Sequence, residues 1–350
     1  MSERLAPEQW DSLPDIAEPA ESLELIGHAG VVEGVCAAYR AGKLHHALLL
    51  SGPKGVGKAT FAFHLAHHLL KERDPAYAPD AFARRDSSTG LFRQIASGAH
   101  PAVLHLTRRY DEKTKKFRTA LTVDEVRRIS RFLSLRSHDD SYRVVIVDAA
   151  DDMNRNAANA LLKNLEEPPQ RVLFLLVSHS PGALLPTIRS RCQMLRFDPL
   201  PGDELARVLE LSGQPLPADP AARAALEEHA GGSARQAILM TEFGGLDIAA
   251  AADAYLRQAR RDPADAYKLA DAVVGREQEI QFDIFNAALC DRIAAEAASA
   301  AASGDARRGA RLAQLWSEVS EAVTLTETYN LDKRQHVVGL LDKVAAAMRA

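Results

Sequence analysis

Cysteine is scarce in this chain of 350 residues. Its three cysteines, Cys36, Cys192 and Cys290, are far apart and odd in number, so the sequence predicts no disulfide framework. No apolar run in the sequence reaches the ~18 residues that a bilayer-spanning helix needs. The first residues also lack the basic start and the apolar block of a signal peptide. Together these absences predict a reduced, cytoplasmic protein without a membrane contact.

The sequence also has no large excess of positive or of negative residues. The formal net charge is −4, which argues against a uniformly basic nucleic-acid coat and leaves only local basic faces. One such face carries Arg127, Arg128 and Arg131, for which solvation or ion pairing is favoured over a contact with a phosphate backbone. Hydrophobic residues make up 47% and charged residues 26%, as in ordinary globular proteins. The composition therefore predicts a folded chain, whose length fits two or three domains.

Short apolar runs alternate with helical stretches from residue 26 to about residue 197. Continuous apolar strands separated by helices are typical of a parallel sheet that is covered on both faces. Thr122 and Glu125 form the pattern of a capping box at the start of one intervening helix. The predicted buried strands are residues 47–52 with their turn, 103–106, 144–147 and 172–177. Another intervening helix carries an apolar stripe, formed by Met153, Ala157, Leu161 and Leu165 and ended by Pro168 and Pro169.

Three domains follow from the distribution of these patterns. Residues 1–200 are predicted to form an α/β domain of the nucleotide-binding type. Residues 201–245 are predicted to form a small helical domain, and residues 246–350 a larger helical one with a break at Ser303 and Gly304. The first ~25 residues, rich in proline and acidic side chains, are expected on the surface.

A glycine-rich segment between the first predicted strand and the next helix has the pattern of a phosphate-binding loop. Gly52, Gly55 and Gly57 allow backbone N–H groups to close around phosphate oxygens, and Lys58 can reach the β- and γ-phosphates. The alternative is a glycine-rich turn with a surface lysine. The strand before the loop and the helix after it favour a site for ATP or ADP.

Two residue types that ATP hydrolysis requires are missing beside this loop. A serine or threonine should follow the loop lysine and hold Mg²⁺, but Ala59 stands there, and Thr60 is rotated by ~100° around the helix axis. Asp148 ends an apolar strand in the position of the carboxylate that orients metal-bound water, and Ala149 follows where a catalytic glutamate is expected. We therefore expect weak Mg²⁺ binding and little or no ATPase activity.

Other side chains have two interpretations each. Arg191, in the segment 187–192, is a candidate arginine finger for a neighbouring subunit's triphosphate, although a solvated basic loop is the commoner meaning of such a string. Arg235 is suited either to lie over a nucleotide or to cap a helix. The spacing of three histidines on one helix is compatible with zinc, but without a nearby cysteine or acidic partner a solvated helix face is favoured. These histidines are His64, His67 and His68.

Four strings in this sequence resemble the bacterial sliding-clamp loader, and most of all its delta-prime subunit family. The resemblance is strong over about residues 20–200 and looser in the helical tail, where residues 330–333 are similar to the family's last domain. Leu-Leu-Lys-x-Leu-Glu-Glu-Pro and Ser-Arg-Cys are highly specific when they occur together. The four strings are residues 44–58, 98–101, 159–169 and 187–192.

The resemblance implies an AAA+ module, a small lid domain and a collar domain that assembles a hetero-pentameric ring. The implied partners are tau/gamma and delta subunits and, through the complex, the sliding clamp and primed DNA. Members of this family are regarded as the rigid stator of the ring, and they lend the Ser-Arg-Cys arginine, here Arg191, to a motor subunit. The same resemblance assigns Ser178 to the sensor-1 position and Arg235 to the sensor-2 position. Many relatives carry a four-cysteine zinc module, but residues 61–147 contain no cysteine, so we expect no zinc.

Three functions compete at this point. The first is a non-motor subunit of the DNA polymerase III clamp loader, accessory to the nucleotidyltransferase holoenzyme and located in the nucleoid-associated replisome. The second is a tau/gamma-type ATPase motor, which is expected to carry Ser or Thr after the loop lysine, an acidic pair and the zinc cysteines. The third is a small-molecule P-loop kinase, which has no use for the helical tail. The first function fits best.

Overall fold

The computed structural model describes residues 4–134, 141–214, 216–258, 262–275 and 278–349. These residues form two compact units, the first made of Met1–Pro217 with Gly231–Arg235 and the second of Ala218–Ala230 with Gln236–Ala350. The strands are β1 (Ala47–Ser51), β2 (Val103–Leu106), β3 (Tyr110–Asp111), β4 (Lys116–Phe117), β5 (Arg143–Val147), β6 (Val172–Ser178) and β7 (Gln193–Arg196). The helices are α1 (Ala29–Arg40), α2 (Lys58–Lys71), α3 (Gly90–Ala96), α4 (Val123–Ser134), α5 (Arg155–Glu166), α6 (Pro186–Arg189), α7 (Gly202–Leu211), α8 (Pro220–Ala230), α9 (Ala234–Glu242), α10 (Gly245–Arg257), α11 (Pro263–Val273), α12 (Glu279–Ala302), α13 (Ala306–Tyr329) and α14 (Lys333–Arg349).

A five-stranded parallel sheet forms the centre of the first unit. The strand order is β2-β5-β6-β1-β7, and each neighbouring pair is parallel. Helices α1, α2 and α3 pack on one face, and α4 and α5 pack on the other. Because both faces are covered, β1 and β6 are buried over their whole length and consist largely of leucine, valine and phenylalanine. The predicted α/β class is confirmed, and so are the four predicted strands.

One strand of the sheet, β7, was not predicted from the sequence. β7 directly follows residues 187–192 and pairs with β1 at the edge of the sheet, where the sequence patterns predict no strand. The residues of β7 are largely exposed, and no continuous apolar run marks them. The short antiparallel pair β3 and β4 is also polar and was not predicted. Both cases have the same cause, since a strand without a buried face carries no hydrophobic signal.

The two predicted helices between the strands are confirmed. The backbone N–H of Thr122 donates to Glu125 Oε2 at 3.0 Å, and the Thr122 hydroxyl donates to the same carboxylate, which forms the capping box before α4. On the exposed face of α4, Arg127 Nη1 donates to Asp124 at 3.1 Å. The amide oxygen of Asn154 caps α5, which ends at Glu166 before the two prolines. In α5 the predicted stripe is buried at Ala157, Leu161 and Leu165.

The N-terminal segment is more deeply packed than its composition predicts. The backbone N–H of Leu5 donates to Glu21 Oε1 at 2.6 Å, and the Ser12 hydroxyl donates to Glu18. These contacts fold residues 4–21 back on themselves within the first unit. The expectation that the segment lies on the surface is therefore wrong for part of it. Its buried apolar side chains are Ala6, Leu13 and Ala20.

The second unit is entirely helical in the part of the chain that the structure describes. α12 and α13 are its longest helices, and the predicted break between them lies at Gly304, which has a φ of +84°. Asn330 ends α13 in the left-handed conformation, and Asp332 accepts from the backbone N–H of Gln335 at 3.0 Å, in the first turn of α14. Residues 201–245 are divided between the two units, and the division into three domains stays a prediction. No described helix combines the length and the apolar character needed to cross a membrane.

Candidate functional site

The glycine-rich loop joins the carboxyl end of β1 to the amino end of α2. Gly55 has a φ of +80° and Gly57 a φ of +105°, a conformation that side chains disfavour and glycine adopts readily. The loop delivers the chain into the first turn of α2, where unpaired backbone N–H groups can receive an anion. Ala59 and Thr60 lie in this first turn and are both half-buried. The strand–loop–helix arrangement expected of a phosphate-binding loop is present.

Lys58 is folded back against the loop that precedes it. Its side chain is buried, and Nζ donates to the carbonyl oxygen of Gly52 at 2.6 Å and to that of Pro53. Burial lowers the pKa of Lys58 to about 8, although the charges of Asp148 and Asp151 act in the opposite direction. The Lys58 amine is therefore already hydrogen-bonded to two carbonyl oxygens of the loop. To bind a phosphate it must give up these hydrogen bonds.

Residues 233–235 pack directly on the loop. The Ser233 hydroxyl donates to the carbonyl oxygen of Lys54 at 2.8 Å, and the backbone N–H of Ala234 donates to that of Gly55 at 3.1 Å. A Cβ at position 55 would lie 2.4 Å from Ser233 Oγ and 2.5 Å from Arg235 Cβ. Arg235, the second residue of helix α9, is thus in contact with the loop, and its role stays a prediction.

Asp148 lies at the carboxyl end of β5 with its side chain one quarter exposed. Burial raises its pKa to about 7, and the negative charge of Asp11 adds to this shift while Lys58 opposes it. His105 Nε2 is 4.0 Å from the Asp148 carboxylate. Burial thus disfavours the charged form of this carboxyl group.

The two aspartates that follow position 149 have other partners. Asp151 accepts from the Ser178 hydroxyl at 2.8 Å and from the backbone N–H of His179 at 2.5 Å. Asp152 accepts two hydrogen bonds from the guanidinium of Arg108, at 2.8 and 2.5 Å. Ser178 is fully buried at the end of β6, level with the last residue of β1. Neither aspartate is therefore available to replace the glutamate that is missing at position 149.

Arg191 lies near the amino ends of the parallel strands, whereas the phosphate-binding loop lies at their carboxyl ends. It comes two residues before Gln193, which pairs with Leu48, so it is level with His46 at the amino end of β1. His46 Nε2 is 3.1 Å from the carbonyl oxygen of Leu165. The next residue, Glu166, forms an ion pair with Arg191. Six strand residues at ~3.3 Å each separate that level from the loop by roughly 20 Å. Arg191 and the loop therefore cannot act on the same nucleotide.

The Arg191 side chain is held in place and remains accessible. Its Nη2 forms an ion pair with Glu166 Oε1 at 2.7 Å, and Nη1 donates to the carbonyl oxygen of Thr187 at 3.0 Å. About a third of the side chain is exposed, against about half of the glutamate. The end of α5 and the turn after α6 therefore present this arginine together, which brings the two most specific strings of the sequence into contact.

Several residues around the loop were not identified from the sequence. Trp10 and Asp11 reach the loop from the N-terminal segment, where Asp11 Oδ2 lies 3.0 Å from Lys54 Nζ. Arg108 stacks on Trp10, with its guanidinium carbon 3.7 Å from the ring centroid. His28 Nε2 lies 2.7 Å from the carbonyl oxygen of Val56 and supports the loop from below. None of these positions belongs to a local pattern, so only the tertiary fold reveals them.

The three histidines of α2 are not on a solvated face, and that interpretation is wrong. All three are buried, and the His64 and His68 rings pack on Phe82 with centroid distances of 6.2 and 5.4 Å. Burial, reinforced by the charge of Arg85, lowers the pKa of His64 to about 3 and that of His67 to about 4. Within the described residues no group of three or more His, Cys, Asp or Glu side chains is arranged to hold a metal ion. The absence of zinc stays a prediction.

Comparison with known proteins finds similarity to subunits of DNA polymerase III. The family model described as DNA polymerase III, delta subunit matches residues 27–201. The chain is 40% identical to DNA polymerase III subunit delta' of Pseudomonas aeruginosa over 183 residues, which are 52% of this chain and 51% of that protein. It is 33% identical to subunit delta' of Escherichia coli over 169 residues, 48% of this chain and 47% of that protein.

Related subunits are also similar. The chain is 29% identical to DNA polymerase III subunit gamma of Buchnera aphidicola over 228 residues, 64% of this chain and 58% of that protein. The chain thus spans about half the length of the relatives that it matches. Among solved structures, a gamma subunit-related protein of Thermotoga maritima covers 91% of this chain and 99% of its own at 14% identity, with a TM-score of 0.38.

Proposed function

The chain belongs to the DNA polymerase III delta subunit family, and on this premise we propose that it is a stator-type, delta-prime subunit of the clamp loader of that polymerase. In this proposal it supports the ATP-dependent loading of the sliding clamp onto primed DNA. It occupies one place in a hetero-pentameric ring with tau/gamma and delta subunits. It supplies Arg191 to the ATP site of a neighbouring motor subunit.

The position of Arg191 is the observation that carries this proposal. The arginine lies roughly 20 Å along the sheet from the chain's own phosphate-binding loop, so any triphosphate that it reaches belongs to another chain. Its guanidinium is partly exposed and bound by Glu166 and by a backbone carbonyl, which fix its direction. A planar, permanently charged guanidinium can contact two phosphate oxygens at once. It therefore stabilises the charge that develops as the γ-phosphoryl group is transferred.

The chain's own site supports a passive role. Ala59 offers no hydroxyl to Mg²⁺, and Ala149 offers no carboxylate to water. Asp148 has a raised pKa, and the aspartates after it are bound to other groups. In the proposal, Gly52, Gly55, Gly57 and Lys58 bind ATP or ADP weakly, with Thr60, Ser178 and Arg235 nearby, and no hydrolysis follows. The expected location in the replisome, within the cytoplasm, stays a prediction.

The alternative is a tau/gamma-type motor, to which the chain is 29% identical. The retained loop lysine favours it. A motor, however, must place Mg²⁺ and an attacking water beside the γ-phosphate, and the side chains for both tasks are lacking at positions 59 and 149. The stator proposal needs no side chain that is missing.

Arg191→Ala in a reconstituted clamp loader tests the proposal. The complex is assembled from this chain with the tau/gamma and delta subunits of the same source. We expect normal assembly by gel filtration and a clear loss of DNA-stimulated ATP turnover and of clamp loading. A finger supplied across an interface is worth about 10³–10⁵ in rate at its own site, but only one of several sites in the ring is affected. Arg191→Lys should fail as well, because it keeps the charge and loses the planar fork.

Arg189→Ala is the matched control. Arg189 is an exposed arginine of α6, two residues before Arg191, and it has no role in the proposal. Its substitution should leave assembly, turnover and loading at the wild-type level. Normal turnover in an assembled Arg191→Ala complex would show that Arg191 is a solvated loop residue, and the proposal would then be wrong.

A further inference from the structure

The phosphate-binding loop already has a partner within its own chain. Lys54, in the middle of the loop, forms an ion pair with Asp11 at 3.0 Å. About a third of each of the two side chains is exposed, so the pair lies at the surface beside the loop. The partner comes from the N-terminal segment, forty-three positions earlier in the chain. An acidic side chain therefore lies where an anionic ligand of the loop would approach.

Other cationic and polar groups of the site face the same carboxylate. Burial opposes the charge of Asp11, but Lys54, Arg235 and His179 together hold its pKa below the usual value. His179 Nδ1 is buried and has no hydrogen-bond partner within the described structure. Its pKa is lowered to about 3 by burial and by the charges of Lys58 and Lys54. Lys54, Arg235 and His179 thus surround one carboxylate beside the loop.

Trp10 fixes the position of this carboxylate. Lys54 Nζ lies 4.2 Å from the centroid of the indole ring, and the guanidinium carbon of Arg108 lies 3.7 Å from it. Arg108 in turn donates two hydrogen bonds to the carboxylate of Asp152, which lies four residues after Asp148. The Trp10 ring therefore lies between Lys54 of the loop and Arg108, which is bound to Asp152.

The rest of the segment is folded so that these two residues stay in place. Leu13, two residues after Asp11, is buried, and the Ser12 hydroxyl donates to Glu18. The backbone N–H of Gln9 donates to Ser12 Oγ at 2.7 Å, which closes a turn around Trp10 and Asp11. The turn is therefore a built structure and not a loose terminus.

We propose that residues 9–12 are an internal occupant of the nucleotide site, in which the Asp11 carboxylate takes the place of a phosphate against Lys54 and Trp10 clamps it there. ATP or ADP then binds only in molecules whose turn has moved away. The proposal concerns the same site as the proposed function and rests on the nucleotide binding assumed there. It explains why the nucleotide site of a stator-type subunit would stay free of nucleotide although Lys58 is present.

The cost to nucleotide affinity follows from this competition. When only a fraction of molecules has an open site, the apparent Kd equals the intrinsic Kd divided by that fraction. If the turn is displaced in about a tenth of the molecules or fewer, removing its hold should tighten binding roughly tenfold or more. The gain should need Lys58, because the released site is the phosphate-binding loop.

The test measures the Kd of ADP and of ATP for the full-length chain by isothermal titration calorimetry. The variants are Asp11→Asn and the double substitution Trp10→Ala with Asp11→Ala. Asp15→Asn is the matched control, since Asp15 is an exposed carboxylate of the same segment whose φ of +59° suits asparagine. We expect roughly tenfold or tighter binding in the double variant, no change in the control, and loss of the gain when Lys58→Ala is added.

A second measurement uses the wild-type chain and needs no substitution. At saturating ADP, amide hydrogen exchange of residues 5–13 should rise, because the turn has been displaced. Equal Kd values in the wild type and the double variant, absent binding in both, or unchanged exchange at saturating ADP would each overturn the proposal. ATP turnover by any of these variants would instead contradict the passive role under the proposed function, since it depends on positions 59 and 149.

Discussion

Gly55 is the residue at which the phosphate-binding loop and residues 233–235 come closest. It combines a φ of +80° with contacts that leave no space for a side chain, and Ser233 and Ala234 both hydrogen-bond to its neighbourhood. The sequence identified this glycine as one that lets N–H groups surround a phosphate. Its second task, to admit the start of α9, depends on residues almost 180 positions away and has no local signal.

Gly55→Ala should therefore destabilise the first unit by more than its conformation alone explains. Gly42→Ala is the matched comparison, because Gly42 has a φ of +64° and open space around its Cα. An alanine in the left-handed region costs roughly 1–2 kcal/mol. Overpacking against Ser233 and Arg235 should add about 1–3 kcal/mol at position 55. Urea unfolding of both variants measures the difference, and equal losses would show that the loop yields without cost.

At the scale of secondary-structure elements, helix α2 shows why the histidine interpretation failed. Its sequence carries histidines at helical spacing, which on an isolated amphipathic helix would form a polar face. In the folded chain Phe82 and Arg85, which lie between α2 and α3, cover that face together with residues 19–22. The histidine face of α2 is therefore buried, although its polar side chains suggest an exposed face. Irregular segments, which sequence patterns predict poorly, decided the environment of this helix.

The buried histidines of α2 should make stability fall in mild acid. In the folded state the pKa of His64 is about 3, because burial and then the charges of Arg85 and His67 disfavour its proton, with only the Ser22 backbone acting the other way. In the unfolded chain the pKa is ~6.5, so below that pH the unfolded state binds the extra proton. Stability is full above pH 6.5 and is lost as the pH falls towards 3. The loss for one such histidine is about 2 kcal/mol at pH 5.

His64→Gln should flatten this dependence. Between pH 7 and pH 5 the variant should lose about 2 kcal/mol less free energy of unfolding than the wild type, measured by urea denaturation with circular dichroism. His229→Gln, at an exposed histidine of α8, is the control and should keep the wild-type slope. A His64→Gln profile that runs parallel to the wild-type profile would mean that His64 titrates normally in the folded protein.

At the scale of the whole molecule, the two ends of the parallel strands in the central sheet carry different groups of side chains. The carboxyl edge carries the phosphate-binding loop with its neighbours Asp148 and Ser178. The amino edge carries Arg191 and Glu166. Under the proposed function, the carboxyl side of the sheet would accept a nucleotide, and Arg191 on the amino side would contact the nucleotide of another chain. The residues at positions 59 and 149 lack the side chains for hydrolysis at the first site, whereas the proposed role of Arg191 needs only side chains that are present.

The purified chain should therefore show no appreciable ATP turnover by itself. Each 1.4 kcal/mol of lost transition-state stabilisation is about tenfold in rate, and metal ligation and water positioning are both lacking at positions 59 and 149. A steady-state phosphate-release assay measures the rate, and the Lys58→Ala variant reports the background of contaminating ATPase. Turnover near 1 per second that disappears in Lys58→Ala would contradict the prediction.

The sequence by itself determined the features that depend on neighbours in the chain. Apolar runs set β1, β2, β5 and β6, the capping box set the start of α4, and glycine spacing set the phosphate-binding loop, because burial and backbone conformation act over a few residues. The losses at Ala59 and Ala149 were also visible as single letters at fixed positions.

Only the tertiary structure decided what depends on distant partners. It placed the polar strand β7 at the sheet edge, buried the histidines of α2, put Arg191 on the edge opposite the loop, and brought Asp11 to Lys54. In each case the deciding energy comes from contacts between segments far apart in sequence, through pairing, covering or opposite charge. Such contacts leave no periodic trace in either segment, so the chain must fold before they exist.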